Sequence, residues 1–388
     1  MKIMWLPSWY PSGIDAFEGD FIQRHAEAAS LHLDIHVIYV VRDKYGKLTK
    51  DVLISETVKD RLTETIIYYY VPGKRTRLFE KFLSERKYRK IYKEAILKSI
   101  KENTLPSLVH VHVGMKAGVI ALWLKKKYGI PYLVTEHWTG FLEEAKPNFK
   151  TLPMHTRFIW NQVLKHSAGV SAVSNYLKNA ITKLFGHINV RVIPNVVNTK
   201  IFFQKSDNSQ TQPFFIHISS LEPYKKPELI LQAFKIVRET FPGAKLEIFG
   251  AKDEKIYEVI NELRLNNNVV VNKEEPQAIL AEHIRNSCAL ILYSKYETFG
   301  CVIIEANACG IPVIVSDLRV FHETVKEGFN GIFALPGNPE KLAAGMLDLI
   351  EKRVVFNAEN IASLATSFYS YPVVGKQFSD WYKEIAWQ

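Results

Sequence analysis

The chain has 388 residues, 50 Lys+Arg against 40 Asp+Glu, 47% hydrophobic and 23% charged residues, and three cysteines, Cys288, Cys301 and Cys309. This ordinary globular balance excludes a disordered tail, a collagen-like chain and a disulfide-stapled mini-scaffold, and the length implies two or three domains. With no CxxC pair, a cysteine-ligated zinc is not expected and a reducing cytosolic setting fits.

The elements follow in chain order. Lys2–Pro7 reads as a strand, Phe17–Ser30 as a helix and Asp34–Val41 as a strand. Met1–Pro7 is too short and too soon broken by proline to read as a signal peptide. Thr65–Val71 is rich in β-branched and aromatic residues and reads as a strand. Phe79–Lys101 reads as a long helix, Leu108–Val113 as a strand, Met115–Tyr128 as a helix and Pro131–Glu136 as a strand. Ala168–Val173 is a strand, and Ser174 is placed to cap a helix running to Leu184. After the strand Val190–Ile193 comes a polar, turn-rich stretch, Lys205–Pro213, which reads as the linker. The rhythm then restarts: strand Phe214–Ser219, helix Pro227–Thr240, strand Ala244–Gly250, then strands at Val269–Asn272, Ala289–Tyr293 and Ile311–Ser316 with helices between.

Strands such as Ala289–Tyr293 are apolar on both faces, as parallel strands covered by helices must be. Two βαβ runs predict two doubly wound α/β domains. The expected boundaries are 1–198, 199–370, and a C-terminal helix at 371–388. Ligands in such folds bind outside the carboxyl ends of the strands, so two facing domains would make a cleft there. No uncharged apolar run reaches the roughly 18 residues of a membrane span; the longest, Cys301–Ser316, is interrupted by Glu305.

Charge is unevenly spread. Residues 1–198 carry 30 Lys+Arg and 17 Asp+Glu, a balance of +13, whereas 199–388 carry 20 and 23, a balance of −3. An anionic partner for the first half is the implication. Between Lys81 and Lys101 there are eight basic and two acidic residues, with Tyr88, Ile91, Tyr92, Ala95, Ile96 and Ile100 at helical spacing. Such a basic amphipathic helix suits an anionic membrane surface through residues 74–101; the alternative is a core-packing helix with a solvated basic side.

The chemistry-bearing segment is Tyr296–Pro312, YETFGCVIIEANACGIP. Gly300 permits close backbone approach, a helix runs to about Ala308, and Gly310 stops it. The helix start at Thr298, Phe299 and Gly300 offers free N–H groups and a positive dipole end, which suit a phosphate. Glu297 lies just before that end, and Glu305 lies about 12 Å along if the whole stretch is helical. Two carboxylates flanking an anion site suit a molecule with a sugar at each end and a diphosphate in the middle. Lys225 opens a helix and is a point charge for a diphosphate, with Lys226 adjacent. His137 ends a parallel strand, where catalytic groups sit in such sheets. His110 and His112 share one strand face and read as structural or acceptor-side; no carboxylate or cysteine lies near them in sequence to complete a metal site. GxGxxG, GxxxxGK[ST], HExxH, GxSxG and Asp-x-Asp are all missing, which disfavours a dinucleotide oxidoreductase, a P-loop enzyme, a zincin and a serine hydrolase.

The pair Glu297 and Glu305, eight apart within YETFGCVIIEANACGIPVIVSD, resembles the donor-site signature of retaining GT-B glycosyltransferases, and the chain resembles glycosyltransferase family 4 (glycosyl transferases group 1). SAVSNYLKNAI, VIPNVVNTKIF, SLEPYKKPELILQAF, HETVKEGFNGIFALPGNPEKLA and the opening PSWYPSGIDAFEGDFIQRHAEAAS resemble further segments of that family, so the likeness runs nearly end to end. Ser220 stands where the family often has Arg, Val196 where it has Gly, and the first loop has one glycine, Gly19, where several members have two.

The resemblance implies a metal-independent, retaining transfer of a hexose-type sugar from a nucleotide diphosphate sugar to a lipid-linked or polysaccharide acceptor, as in cell-surface lipopolysaccharide or capsule synthesis. It implies no cofactor and no nucleic-acid partner. His137 would contact the transferred sugar, Glu297 would hold that sugar and Glu305 the ribose. Lys225 or Lys226, the 298–300 helix start and Gly19 would hold the diphosphate. Asp20 and His112 fall on the acceptor side, and the base would lie near Val271–Lys273. The expected location is the cytoplasm, peripheral to the inner face of its membrane. A sugar-nucleotide epimerase and a non-catalytic nucleotide-sugar binder are the alternatives.

Overall fold

The computed structural model describes residues 1–46, 51–71, 77–102, 104–186, 188–205, 213–250 and 254–386. The chain divides into two compact units, Met1–Pro194 with Tyr371–Gln388, and Asn195–Ser370. The linker expected at 205–213 falls mostly on 206–212, outside the described residues.

The first unit carries β1 (Lys2–Pro7), β2 (Asp34–Arg42), β3 (Val52–Lys59), β4 (Leu62–Tyr69), β5 (Leu108–His112), β6 (Tyr132–Glu136), β7 (Gly169–Ala172) and β8 (Val190–Val192). They form one sheet in the order β3-β4-β2-β1-β5-β6-β7-β8. Every pairing is parallel except β3 with β4. Its helices are α1 (Asp20–Ser30), α2 (Arg77–Glu102), α3 (Lys116–Tyr128), α4 (Met154–Lys165) and α5 (Asn175–Leu184). Ser174 caps α5, its Oγ accepting from the Leu177 N–H at 3.1 Å.

The second unit carries β9 (Phe214–Ile218), β10 (Lys245–Phe249), β11 (Val269–Asn272), β12 (Ala289–Leu292), β13 (Val313–Ser316) and β14 (Gly331–Ala334) in an all-parallel sheet ordered β11-β10-β9-β12-β13-β14. Its helices are α6 (Pro227–Thr240), α7 (Glu254–Glu262), α8 (Gln277–Arg285), α9 (Cys301–Ala308), α10 (Pro339–Ile350) and α11 (Ala358–Tyr369). The core is the layer between sheet and helices: Phe215, Leu246, Ile248 and Ile291 from the strands against Ile230, Phe234, Val237 and Met346 from α6 and α10. The last helix, α12 (Tyr371–Ala386), belongs to the first unit and lies on α1. There Gly375 approaches so closely that an added Cβ would stand 2.0 Å from the Ala28 carbonyl oxygen.

In both sheets the first strand lies inside, and the chain winds one way before crossing back to the other side. The switch points are β1/β5 and β9/β12. Parallel α/β sheets hold ligands outside the strand carboxyl ends at such points.

The basic helix departs from the membrane-facing expectation in part. Along α2, Tyr88, Ile91, Tyr92 and Ile96 are buried, and the Tyr92 hydroxyl donates to the Ile38 carbonyl of β2. The apolar stripe therefore serves the unit's own core. Lys87 pairs with Asp51 and Arg89 with Glu85. Phe79 and Phe82, at the start of α2, are exposed. Residues 74–76 of the expected patch lie outside the described residues. Among the described residues, no helix is long and apolar enough to cross a membrane.

Candidate active site

In the second unit the two strands flanking the switch point each end in a loop carrying an expected site residue. Lys225 follows β9 and Glu297 follows β12. The strands are stitched there by His217, whose Nδ1 donates to the Ile291 carbonyl at 2.8 Å and whose Nε2 meets Ser219 Oγ at 2.8 Å. Burial lowers its pKa to about 4, against the Ile291 hydrogen bond, so it holds the strands as a neutral ring. The loops are tied as well: the Lys295 N–H donates to the Tyr224 carbonyl at 2.7 Å, and Tyr224 and Tyr296 stack with ring centres 4.7 Å apart.

This frame brings Lys225 and Glu297 together as an ion pair between Nζ and Oε1, their side chains 14% and 8% exposed. Ser294 Oγ donates to the same Oε1 at 3.0 Å. Burial works against the Lys225 ammonium, and the Glu297 carboxylate outweighs it, so the lysine pKa stands above its usual value. Lys225 does not open a helix as expected. Pro223–Lys225 is a single 3-10 turn, and Lys226, in the left-handed region at φ 48°, is the N-cap of α6. Proline at position 227 favours this break, because it suits the first helical turn and cannot extend the preceding one as an N–H donor.

Helix α9 begins at Cys301, just past the expected start at Thr298–Gly300. Of the stretch from Glu297 to Glu305 only Cys301–Glu305 is helical, four steps that rise about 6 Å, so the 12 Å expectation for a fully helical stretch does not apply. Gly300 caps it at φ 88°, and no side chain caps the helix. An added Cβ there would meet Ile303, Phe321 and Leu292 at 3.0–3.1 Å. Thr298 and Phe299 lead into this N-terminus, and Glu305 is buried at 4% exposure inside the helix. An uncapped N-terminus, a buried ammonium and two buried carboxylates form a setting for an anionic group flanked by hydroxyls.

In the first unit the residues also gather at the switch point. α1 starts at Asp20, three residues later than expected, with Gly19 (φ 72°) as its N-cap and again without a side-chain cap. An added Cβ on Gly19 would stand 2.6 Å from the Trp9 carbonyl carbon, so both conformation and space demand glycine. Asp20, expected on the acceptor side, pairs with Arg24 at 3.0 Å. His137 is 6% exposed and packs against Phe21, ring centres 4.8 Å apart. His112 is wholly buried under Trp5, ring centres 4.1 Å apart, and its Nδ1 lies 3.3 Å from His137 Nε2. His110 is structural: its ring nitrogens meet the Tyr382 hydroxyl at 2.5 Å and Thr135 Oγ1 at 2.7 Å.

Sequence reasoning did not single out two neighbours of His137. His25 reaches in from α1, wholly buried, with Nε2 3.1 Å from the Pro194 carbonyl. Glu136, the residue before His137, accepts the Gly114 N–H at 2.9 Å and the Trp160 Nε1–H at 3.1 Å. Burial pushes its pKa up to about 7, against those hydrogen bonds. The bonds brace a strained strand end: Val113, between His112 and Gly114, sits at φ 64°. A β-branched residue there costs about 1–3 kcal/mol and clusters at functional sites. The adjacency of Glu136 to a strand-end histidine was the available signal for it; His25 has no signal beyond its place on a helix that follows the central strand.

Comparison with known proteins accords with this geometry. Residues 33–201 match the family model for Glycosyltransferase Family 4, and residues 198–365 the model for Glycosyl transferases group 1. An uncharacterized glycosyltransferase of Methanocaldococcus jannaschii is 27% identical over 295 residues, 75% of this chain and 74% of that protein. The N-acetyl-alpha-D-glucosaminyl L-malate synthase of Bacillus anthracis is 26% identical over 259 residues, 63% of this chain and 65% of that protein. Among solved structures, sucrose-phosphate synthase from Thermosynechococcus elongatus superposes with a TM-score of 0.79 at 18% identity, covering 99% of each chain. Anabaena HepE in complex with UDP-glucose gives 0.74 at 16% identity, covering 99% of this chain and 100% of that one. Two parallel-sheet units, a buried Lys225–Glu297 pair at one switch point and these matches agree: the chain belongs to the glycosyltransferases, with a family 4 N-terminal part and a group 1 C-terminal part on the GT-B fold.

Proposed function

We propose that this glycosyltransferase moves a hexose-type sugar from a nucleotide diphosphate sugar to a hydroxyl of a lipid-linked or polysaccharide acceptor, with retention of configuration and without a metal. The observation that carries the reading is the buried Lys225–Glu297 ion pair beside the uncapped start of α9. A pyrophosphate has two negative groups to place. The α9 N-terminus at Thr298, Phe299 and Gly300 takes one, and Lys225 takes the other as it turns from Glu297. Lys226 supplies further positive potential, and no metal ion is needed to carry the leaving group. Released from Lys225, the Glu297 carboxylate accepts hydroxyls of the transferred sugar, while Glu305 accepts those of the ribose. His137 is assigned to the reacting sugar. Its burial keeps it neutral, so it meets that sugar as a hydrogen-bonding ring rather than a cation. Solved neighbours holding UDP or UDP-glucose support the donor class. Exposed Phe79 and Phe82 beside basic Lys81 and Arg86 support contact with an anionic cytoplasmic membrane face, where a lipid-linked acceptor of a cell-surface glycan would be met.

Thermal denaturation with UDP, GDP, ADP and CMP tests the donor assignment. One nucleoside diphosphate should stabilise the protein by about 2.7 kcal/mol at 100 times its Kd. Equal, negligible shifts with all four would refute the reading.

A further inference from the structure

His25 from α1, His112 from the end of β5 and His137 just past β6 each present one ring nitrogen within 4.8 Å of the other two. All three are buried, and burial keeps each ring neutral, the form that ligates metals. The His25 tautomer is set: its Nε2 faces the Pro194 carbonyl at 3.1 Å and must carry the proton. The lone pair is then on Nδ1, which has no partner among the described residues. Metal-ligating histidines use this arrangement, with the outer N–H tied to a carbonyl that fixes tautomer and ring orientation.

His112 Nδ1 and His137 Nε2 stand 3.3 Å apart. Two imidazole nitrogens on one tetrahedral ion with ~2.0–2.1 Å bonds stand ~3.3 Å apart as well. Bringing the third nitrogen from 4.8 Å to that spacing asks for a shift of at most ~1.5 Å, the scale of a small ring rotation. His110 is not part of the set, because both its nitrogens are engaged.

We propose that His25, His112 and His137 form a three-nitrogen site for a borderline divalent transition metal ion, Zn²⁺ or Co²⁺, with its fourth position open. An all-imidazole set selects such ions over Mg²⁺ and Ca²⁺, which take oxygen ligands. Occupancy occupies His137 and therefore slows sugar transfer. This inhibitory half rests on the role given to His137 above; the binding half rests on the geometry alone.

Titration of the metal-free full-length protein with Co²⁺, followed by visible absorption, reads the binding half directly. One equivalent should raise the d–d bands of a four-coordinate ion, Zn²⁺ should bleach them, and Mg²⁺ should not. His25→Leu should weaken Co²⁺ binding by roughly 100-fold or more while His110→Gln leaves it unchanged. The wild-type spectrum stands even if a variant fails to fold. Absence of stoichiometric binding, or binding unchanged by His25→Leu, overturns the site. In the transfer assay one equivalent of Zn²⁺ should slow wild type by about tenfold or more, a barrier rise of ~1.4 kcal/mol, with EDTA restoring the rate. Binding with undiminished transfer overturns the inhibitory half. Absence of transfer from any sugar nucleotide overturns the donor reading and leaves the spectral result standing.

Discussion

Removing Glu297 should cost far more than a surface glutamate would. The Lys225 and Glu297 side chains are only 14% and 8% exposed, and the Tyr224 ring lies 5.2 Å from the ammonium Nζ. Truncating one partner of a buried ion pair leaves an uncompensated charge and costs about 3–5 kcal/mol, whereas replacing both with apolar groups of similar volume is often near neutral. For a unit of this size, about 2–4 °C of Tm accompanies each kcal/mol. Glu297→Ala should therefore lower the Tm of the Asn195–Ser370 unit by roughly 6–20 °C. The double variant Lys225→Met/Glu297→Leu should recover most of that, with a coupling energy of about 2 kcal/mol or more. Calorimetry that resolves the transition of each unit is the assay, because two-unit chains need not melt in one step. A cost of Glu297→Ala below about 1 kcal/mol, with additive behaviour in the double variant, would refute the reasoning. The pairing also means that Glu297 variants alter donor binding as well as turnover, since the lysine freed or trapped is the one assigned to the diphosphate.

Gly19→Ala should destabilise the first unit by about 2 kcal/mol or more in urea unfolding, because φ is 72° and the new Cβ meets the Trp9 backbone at 2.6 Å; unchanged stability would contradict that packing. Glu136 has a folded pKa of about 7, above its ordinary 4.5, so the folded state binds the proton more tightly than the unfolded one. Its contribution is fully present below pH ~4.5 and is lost as pH rises through ~7, a change of roughly 3 kcal/mol at most. Glu136→Gln should flatten that part of the stability–pH curve, and an unaltered curve would show that the carboxyl does not titrate there. Charge reversal at Lys81, Arg86 and Lys90, exposed positions on α2, should reduce sedimentation with anionic liposomes, each charge being worth about 1 kcal/mol at such a surface. Undiminished sedimentation would leave α2 a core helix with a solvated basic side.

The parallel strands and their helices were legible because their chemistry is local. Helix α6 and strand β11 fall at the bounds that residue pattern implies, and Ser174 caps where expected. Strand β3 was not legible: nearly all its residues are exposed, it pairs antiparallel at the sheet edge, and its turn at Asp60 lacks the usual glycine. The four-residue β14 and helix α4 are likewise short or weakly patterned. Glu297 and Glu305 were legible as a carboxylate pair within one segment, but the partner of Glu297 was not. Lys225 lies 72 residues away, and only strand order brings the β9 and β12 loops side by side. The histidine cluster was invisible for the same reason: β5, β6 and α1 are separate in sequence and meet through the sheet. The stripe on α2 shows the converse, since amphipathic spacing alone does not say whether an apolar face meets a core or a lipid surface.

The central claim is that Lys225 and the α9 N-terminus, rather than a metal ion, stabilise a departing nucleoside diphosphate. NMR of wild type and Lys225→Ala with the sugar nucleotide selected by thermal denaturation, an acceptor alcohol and excess EDTA tests it most directly. Wild type should release the nucleoside diphosphate and form a glycoside with the donor's anomeric configuration, and Lys225→Ala should be slower by roughly 100-fold or more, the scale of losing one preorganised charge contact. Full loss of wild-type activity in EDTA with recovery on adding Mg²⁺ or Mn²⁺, or undiminished transfer by Lys225→Ala, would contradict the account.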